Sequence, residues 1–158
     1  MMTVGKLTES CWVIDLSKLR ILVDTNVLLD LVSKDRPAHE RVVQAVRNVI
    51  AASGEMLVAT SSLKDVYYIY ARHYGCESAA REAVSYLEDV FDLRSLEPKH
   101  IRKALLSPEP DFEDGIVRAI AEDEGCDYIL TRDAKGFDGS KAPKIEPEEL
   151  SVFATEKR

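Results

Sequence analysis

The sequence predicts an α/β fold in which helices cover both faces of a central, mainly parallel sheet. Short apolar runs alternate along the chain with segments whose apolar residues recur at helical spacing. The first run, Ile21-Leu22-Val23, is apolar throughout and stops abruptly at polar residues, as a buried parallel strand does. Strands that alternate with helices need crossover connections, which join parallel strands.

The predicted elements follow in order from these patterns. The strand at 21–23 ends at Asp24-Thr25-Asn26, and a helix leaves this turn where the apolar segment resumes at Val27. Gly54 and Gly75 end two later helices. The other predicted strands are 56–60, 92–95, 128–131 and an edge strand around Ile145. The other predicted helices cover 38–52 or carry apolar faces at 63–70, 79–87, 101–105 and 116–121.

The elements predict one domain over residues 20–150, between an N-terminal extension, 1–19, and a short tail, 151–158. The chain of 158 residues is long enough for one core and contains no internal repeat or linker. Cys11-Trp12-Val13-Ile14 in the extension is compatible with an added strand, a docking arm or a poorly ordered segment.

The composition excludes several classes of protein. A net charge of -7 argues against coating of nucleic acid by bulk electrostatics, but not against a nuclease whose acids are neutralised by divalent cations. No run approaches the roughly 18 apolar residues of a membrane span, so we expect no membrane partner. The three cysteines are isolated, which predicts reduced thiols in a cytoplasmic protein. Three scattered histidines lack metal-ligand spacing and are expected at the surface: His39, His73 and His100.

Acidic residues fall repeatedly at predicted strand ends and helix starts. Asp24 and Asp133 follow strands, Asp65 lies just past the second strand, and Asp111 and Asp114 open a helix. In a parallel sheet all of these positions lie at the carboxyl edge, where α/β proteins place their chemistry.

Each acid also has a local structural explanation. Asp24 suits a turn or helix cap, Ser62-x-x-Asp65 fits a capping box, and Asp111-x-x-Asp114 resembles a capping arrangement. However, one cap needs one or two acids, and the surplus at 111–114 raises mutual repulsion that a divalent cation would relieve.

An all-oxygen set of carboxylates selects hard cations such as Mg²⁺ or Mn²⁺. Such a site suits phosphodiester hydrolysis, because the metal activates a bound water and offsets charge on the phosphoryl oxygens.

These residues resemble the four acidic motifs of the PIN-domain nucleases. The resemblance covers roughly 20–150 and rests on Asp24-Thr25-Asn26, the acid after the second strand, Asp-Phe-Glu-Asp at 111–114 and Leu-Thr-Arg-Asp at 130–133. It implies a three-layer α/β/α fold and a metal-dependent ribonuclease, with a tie to VapC-like toxins of toxin–antitoxin pairs. It places the family's acidic positions at Asp24, Asp65, Asp114 and Asp133, adds Asp111 as an extra acid, and gives Thr25, Asn26 and Thr131 supporting roles.

One departure from the family pattern bears on activity. The second acidic position is usually Glu, and the shorter Asp65 would reach a metal less readily. The alternative is therefore a PIN-fold binding or regulatory module with weak or lost nuclease activity. A haloacid-dehalogenase-like phosphatase is poorly supported, because that class needs an aspartate where this chain has Asn26.

Apolar and aromatic residues at 66–74 and 79–87 exceed what one side of a small sheet covers, and the family resemblance suggests a homodimer. The dimer is expected to bind RNA through a positive rim near the acids, formed by Lys34, Arg36, Lys64 and Arg132. The family resemblance also implies an antitoxin protein as a partner.

Overall fold

The computed structural model describes residues 15–152, which form a parallel sheet with helices on both faces. A 3-10 turn, Leu16–Lys18, precedes the first strand. The strands are β1 (Arg20–Val23), β2 (Glu55–Ala59), β3 (Asp92–Arg94), β4 (Tyr128–Leu130) and β5 (Lys144–Ile145). The helices are α1 (Thr25–Val32), α2 (His39–Ala51), α3 (Thr60–Tyr74), α4 (Glu77–Val90), α5 (Pro98–Leu105), α6 (Phe112–Asp123) and α7 (Pro147–Val152).

The strand order, β3-β2-β1-β4-β5, places β1 at the centre of the sheet. All four strand pairs are parallel, and Leu22 of β1 pairs with Leu57 of β2 and Ile129 of β4. Because the strands are parallel, the segments that leave β1, β2 and β4 emerge at the same edge. The predicted parallel sheet is confirmed.

Successive strand residues point into two separate cores, as the two-residue repeat of a strand requires. On β1, Ile21 and Val23 join the core beneath α1, α2, α3 and α4, whereas Leu22 joins the core beneath α6. The same alternation separates Val58 from Leu57 on β2. Two cores on opposite faces of one sheet make the fold a three-layer α/β/α architecture, as predicted.

Helix α3 begins earlier than the capping signal predicts. Thr60 is already helical, and Ala59 caps the helix without a side-chain hydrogen bond. Asp65 is therefore in the second turn of α3, and Ser62 is buried in the first turn. The capping-box interpretation of Ser62 and Asp65 was wrong, because β2 runs into the helix without a loop in which Ser62 could cap.

The predicted extension, 1–19, falls mainly outside the described residues, and Cys11-Trp12-Val13-Ile14 lies entirely outside them. Within the described part, Leu16 and Leu19 are buried and belong to the core under α2. A Cβ at Gly54 would lie 2.5 Å from the Leu16 carbonyl oxygen, so the turn before β1 packs closely against the turn before β2. Of the predicted tail, 153–158 also lies outside the described residues.

His100 is buried, contrary to the expectation for the three histidines. Its Nδ1 accepts a hydrogen bond from the Glu97 backbone N–H at 3.0 Å, and its Nε2 lies 2.9 Å from Asp123 Oδ2. These contacts join the start of α5 to the end of α6. His100 is therefore a structural residue between two helices, which its isolated position in the sequence did not indicate. His73 is exposed and His39 half-buried.

Within residues 15–152, no helix is both long enough and apolar enough to cross a membrane.

Candidate active site

Asp24 lies at the junction of β1 and α1, at the centre of the sheet edge. It caps α1, and its Oδ1 accepts a hydrogen bond from the Thr25 N–H at 2.8 Å. Its Oδ2 accepts another from the Thr131 hydroxyl at 2.9 Å, and its own N–H bonds to the Leu130 carbonyl oxygen. Asp24 is thus a helix cap, and it is also fixed by two strands in a buried position.

Thr131 and Asp133 follow β4, directly beside Asp24. The fully buried Thr131 hydroxyl donates to Asp24 and accepts from the Asp133 N–H at 3.0 Å. Asp133 Oδ1 accepts from the Lys135 N–H at 2.9 Å. A Cβ at Gly136 would lie 3.1 Å from Asp133 Oδ2 and 3.5 Å from Asp114 Oδ2, so the backbone of Gly136 reaches both carboxylates.

Helix α6 brings three acids to the same edge. Asp111 is its N-cap and accepts from the Glu113 N–H at 2.7 Å, which confirms that this residue caps the helix. Asp114, in the first turn, is hydrogen-bonded to Asp133 through their side chains. Gly115 follows, and a Cβ there would lie 3.2 Å from the Ala104 carbonyl oxygen, so α6 packs closely on α5.

Burial, together with the crowding of carboxylates, determines the electrostatics of this edge. Burial and the charges of Asp24, Asp111 and Asp133 raise the pKa of Asp114 to about 7. Burial also raises the pKa of Asp24, against the opposing hydrogen bonds from Thr131 and Thr25. The Lys135 N–H lowers the pKa of Asp133, with smaller contributions from Asp114 and Lys144. Of this pair, Asp114 is therefore the carboxyl group that binds a proton more readily.

A cavity of about 400 Å³ opens beside these acids. Side chains from α1, α3 and α6 line it, and polar and apolar residues alternate along these helices. Its polar lining consists of Asp24, Thr25, Asn26, Ser61, Ser62, Lys64, Asp65, Glu113 and Asp114, and its apolar lining of Leu29, Ile69, Leu96, Phe112, Ile116 and Val117. Three of the predicted acids, Asp24, Asp65 and Asp114, share this cavity, while Asp133 and Asp111 lie outside its lining.

Glu113 is a cavity acid that we did not select from the sequence. Burial and the charges of Asp65, Asp111 and Asp24 raise its pKa. The available signal was the excess of acids at 111–114, which exceeds what one helix cap requires. In the sequence, Asp111 and Asp114 already accounted for the excess of acids, so Glu113 was not selected. The orientation of the first turn of α6 shows that Glu113 and Asp114 line the cavity.

The side-chain atoms that could bind a metal ion at this edge are of the kind that a hard cation prefers. All are oxygens, their charges repel, and the buried Asn26 Oδ1 accepts no hydrogen bond. Among the residues that the structure describes, however, no three His, Cys, Asp or Glu side chains are arranged so as to hold an ion as they stand. The site consists of the Asp114–Asp133 pair and a separate Asp24 joined to Asp133 through Thr131.

The expected positive rim is only partly present. Lys64 lines the cavity. Arg36 and Arg132 instead form ion pairs with the buried carboxylate of Asp30 in α1, which is not part of the cavity lining. Their guanidinium groups are thereby held by the protein rather than left free for phosphates.

The fold and this edge define an α/β/α protein with a cavity lined by acids at the carboxyl ends of its central strands. The family model for the PIN domain matches residues 20–135, more than half of the chain. The chain belongs to the PIN-domain family.

Three relatives illustrate the relationship. The chain is 27% identical over 135 residues to Ribonuclease VapC1 of Aquifex aeolicus, covering 80% of this chain and 88% of that protein. In fold it is similar to a toxin-antitoxin complex from Klebsiella pneumoniae, with a TM-score of 0.60 and 22% identity over 80% of this chain and 97% of the other. It is also similar to Mycobacterium tuberculosis VapC20, a toxin that cleaves the Sarcin-Ricin loop, with a TM-score of 0.57 and 19% identity over 75% of this chain and 90% of the other.

Proposed function

We propose that this protein is a metal-dependent endoribonuclease that hydrolyses RNA phosphodiester bonds. The observation that carries the proposal is the set of carboxylates gathered around one cavity at the centre of the parallel sheet edge. Membership of the PIN-domain family and the similarity to Ribonuclease VapC1 support nuclease chemistry and an RNA substrate.

We assign the acids two roles, catalysis and the binding of a divalent metal ion. Asp24, Asp65, Asp114 and Asp133 are the catalytic acids, and the same four together with Asp111 hold Mg²⁺ or Mn²⁺. A bound divalent cation lowers the pKa of a water and offsets charge on the phosphoryl oxygens. Thr131 orients Asp24 and Asp133 through its hydroxyl, and Thr25 donates its backbone N–H to Asp24. Asn26 is assigned a supporting role in the same turn, where its buried Oδ1 accepts no hydrogen bond from the protein.

Titration of metal against a single-stranded RNA tests this proposal. Cleavage is expected to require added Mg²⁺ or Mn²⁺ and to stop on chelation. Calorimetry of the same protein with Mn²⁺ is expected to detect binding that Asp133→Asn weakens and Asp89→Asn, an exposed change on α4, leaves intact. Cleavage that persists after chelation and dialysis would contradict the metal-dependent reaction.

The second candidate is a PIN-fold binding or regulatory module with weak or lost activity. Two observations favour it: Asp65 stands where the family usually has the longer Glu, and the described acids do not form a ready metal cluster. A protein that binds RNA and Mn²⁺ but releases no new RNA ends would support this module over the nuclease.

We further propose that the nuclease is the toxin of a toxin–antitoxin pair and acts in the cytoplasm. The similarity to a toxin-antitoxin complex and to VapC proteins supports an antitoxin partner. The test is expression of this chain alone and together with any small protein that a neighbouring reading frame encodes: growth arrest by this chain alone, relieved by such a neighbour and absent with Asp24→Asn, is the expected result.

A further inference from the structure

The one carboxylate within α1, Asp30, is not part of the lining of the cavity. The side chain of Asp30 is completely inaccessible to solvent, and it faces two arginines. Its Oδ1 accepts hydrogen bonds from Arg36 Nε at 2.6 Å and from Arg132 Nη2 at 3.1 Å, and its Oδ2 accepts from Arg132 Nε. A carboxylate is removed from water at a large cost unless it is paired in this way.

These contacts join segments that are distant in sequence. Asp30 belongs to α1, Arg36 to the loop before α2, and Arg132 to the segment that follows β4. The Asp30 carbonyl oxygen also accepts a hydrogen bond from His39 Nδ1, at the start of α2, at 2.8 Å. The carboxylate thus joins α1 to the loop before α2 and to the segment after β4.

Arg132 stands between Thr131 and Asp133, the two residues that connect to Asp24. The two-pronged geometry of a guanidinium on a carboxylate limits rotation of the side chain and hence of the backbone that carries it. The same turn of backbone contains the Asp133 N–H, which donates a hydrogen bond to the Thr131 hydroxyl at 3.0 Å.

We propose that Asp30 is a positioning residue. Through Arg132 it fixes the turn that carries Thr131 and Asp133 beside Asp24. The inference rests on the proposed function only in treating Asp24 and Asp133 as the working acids. Asp30 itself touches neither the cavity nor any reacting atom.

The two possible roles of Arg132, positioning the turn and contributing positive charge, predict opposite effects of its removal on the binding of a cation. Two guanidinium groups against one carboxylate leave a surplus positive charge near the acids. If charge alone mattered, removal of Arg132 would strengthen the binding of a cation there. If Arg132 positions the turn, its removal weakens cation binding despite the favourable change in charge.

The chain offers a matched pair of variants. Arg132→Gln and Arg36→Gln each remove one guanidinium from Asp30, and the two side chains are similarly exposed, 35% and 37%. We expect similar losses of unfolding stability in urea. Only Arg132→Gln is expected to speed amide hydrogen exchange at Asp133 and Lys135 several-fold and to weaken Mn²⁺ binding by about tenfold, as loss of a residue that orients a metal ligand does.

A double-mutant cycle completes the test. Asp30→Asn with Arg132→Gln is expected to exchange at Asp133 no faster than the faster single variant, because both changes break the same contact. Equal acceleration in Arg36→Gln, unchanged exchange in Arg132→Gln, or tighter Mn²⁺ binding in Arg132→Gln would each overturn the proposal. If the wild type binds no Mn²⁺, the proposed function fails, while the exchange rates still decide whether Asp30 positions the turn.

Discussion

At the scale of single residues, the site is built from side chains that serve the fold and the chemistry at once. Asp24 caps α1 and is the most central acid of the site. Asp111 caps α6, and it also raises the pKa of Asp114. A structural explanation for an acid therefore does not remove it from the site: in Asp24 the cap uses Oδ1, and Oδ2 is oriented by the Thr131 hydroxyl.

Asp24→Asn is expected to separate activity from stability. Asparagine caps a helix about as well as aspartate, and burial already opposes the charged form of Asp24. We expect the unfolding free energy to fall by about 1 to 2 kcal/mol, because the amide NH2 replaces an oxygen that accepts from Thr131. RNA cleavage is expected to be abolished, because a proposed metal ligand is removed. Asp89→Asn is the control on the exposed side of α4. Full Mn²⁺-dependent cleavage by Asp24→Asn would refute the role of this carboxylate.

Asp65→Glu tests whether the short side chain limits activity. Asp65 lies in the second turn of α3 and lines the cavity opposite Glu113 and Asp114. One more methylene extends the carboxylate toward these acids, so cleavage of single-stranded RNA is expected to rise several-fold at fixed Mn²⁺. Asp89→Glu makes the same chemical change away from the site. An unchanged or lower rate in Asp65→Glu would show that side-chain length is not the limitation.

At the scale of elements, the segment between β4 and β5 is held on both sides. Arg132 ties its start to α1, and Glu109 Oε2 accepts from the Phe137 N–H at 3.0 Å. Phe137 is buried with a positive φ of 69°, a conformation that only surrounding contacts sustain in a residue with a side chain. The segment carries Asp133 and Gly136, so these contacts fix the position of Asp133 relative to α1.

Glu122 links this segment to α5 and α6, and its charge predicts an acid-sensitive fold. Burial alone would raise the pKa of Glu122, but hydrogen bonds from Lys103, Arg118 and the Lys141 N–H lower it to about 2. Because the folded-state pKa is depressed, the stabilisation is complete above the unfolded pKa of 4.5 and is lost as the pH falls toward 2.

Glu122→Gln should therefore reduce the unfolding free energy at pH 7 by roughly 2 kcal/mol. The same variant should lose less further stability than the wild type when the pH is lowered from 5 to 3. Urea unfolding at several pH values measures both effects, with the exposed Glu88→Gln on α4 as the control. A constant difference between Glu122→Gln and the wild type across this range would contradict the assigned ion pairs.

At the scale of the whole molecule, large apolar and aromatic side chains remain exposed on α3, which lines the cavity, and on α4, which does not. Four exposed large side chains lie on α3 and α4: Tyr68, Ile69, Tyr74 and Tyr86. Such a surface is typical of a protein interface. The homodimer predicted from the sequence stays a prediction, and this surface is where we propose that it forms.

Light scattering at micromolar concentration is expected to report twice the monomer mass of 17.7 kDa. Tyr68→Glu places a charge on the exposed part of α3 and is expected to give the monomer mass. Leu106→Glu, at the end of α5 and 88% exposed, is expected to leave the dimer intact. A monomeric wild type, or a dimer that Leu106→Glu dissociates instead, would place the interface elsewhere or exclude it.

The sequence was sufficient for the order of the five strands and of helices α1 to α6, and for the acids at the sheet edge, but it did not predict α7, Pro147–Val152. Apolar periodicity reports which side of an element is buried, and the end of a buried strand marks where the chain reaches the surface. Boundaries were less certain: β2 runs to Ala59 and α3 begins at Thr60 without a loop. No local pattern separates these two states, because the backbone changes conformation within a single residue.

Only the tertiary structure decided which acids work together and which serve as anchors. Asp30, six residues after Asp24, belongs in sequence to an amphipathic helix, yet it is paired with Arg132, 102 residues away. Glu113 faces the cavity while Asp111 caps the helix beside it. Pairing of charges depends on distances between elements and on the local loss of water, neither of which is encoded in the spacing of residues along the chain. The sequence by itself determined the fold and the edge that carries the acids, and three-dimensional packing decided how those acids are paired, protonated and held.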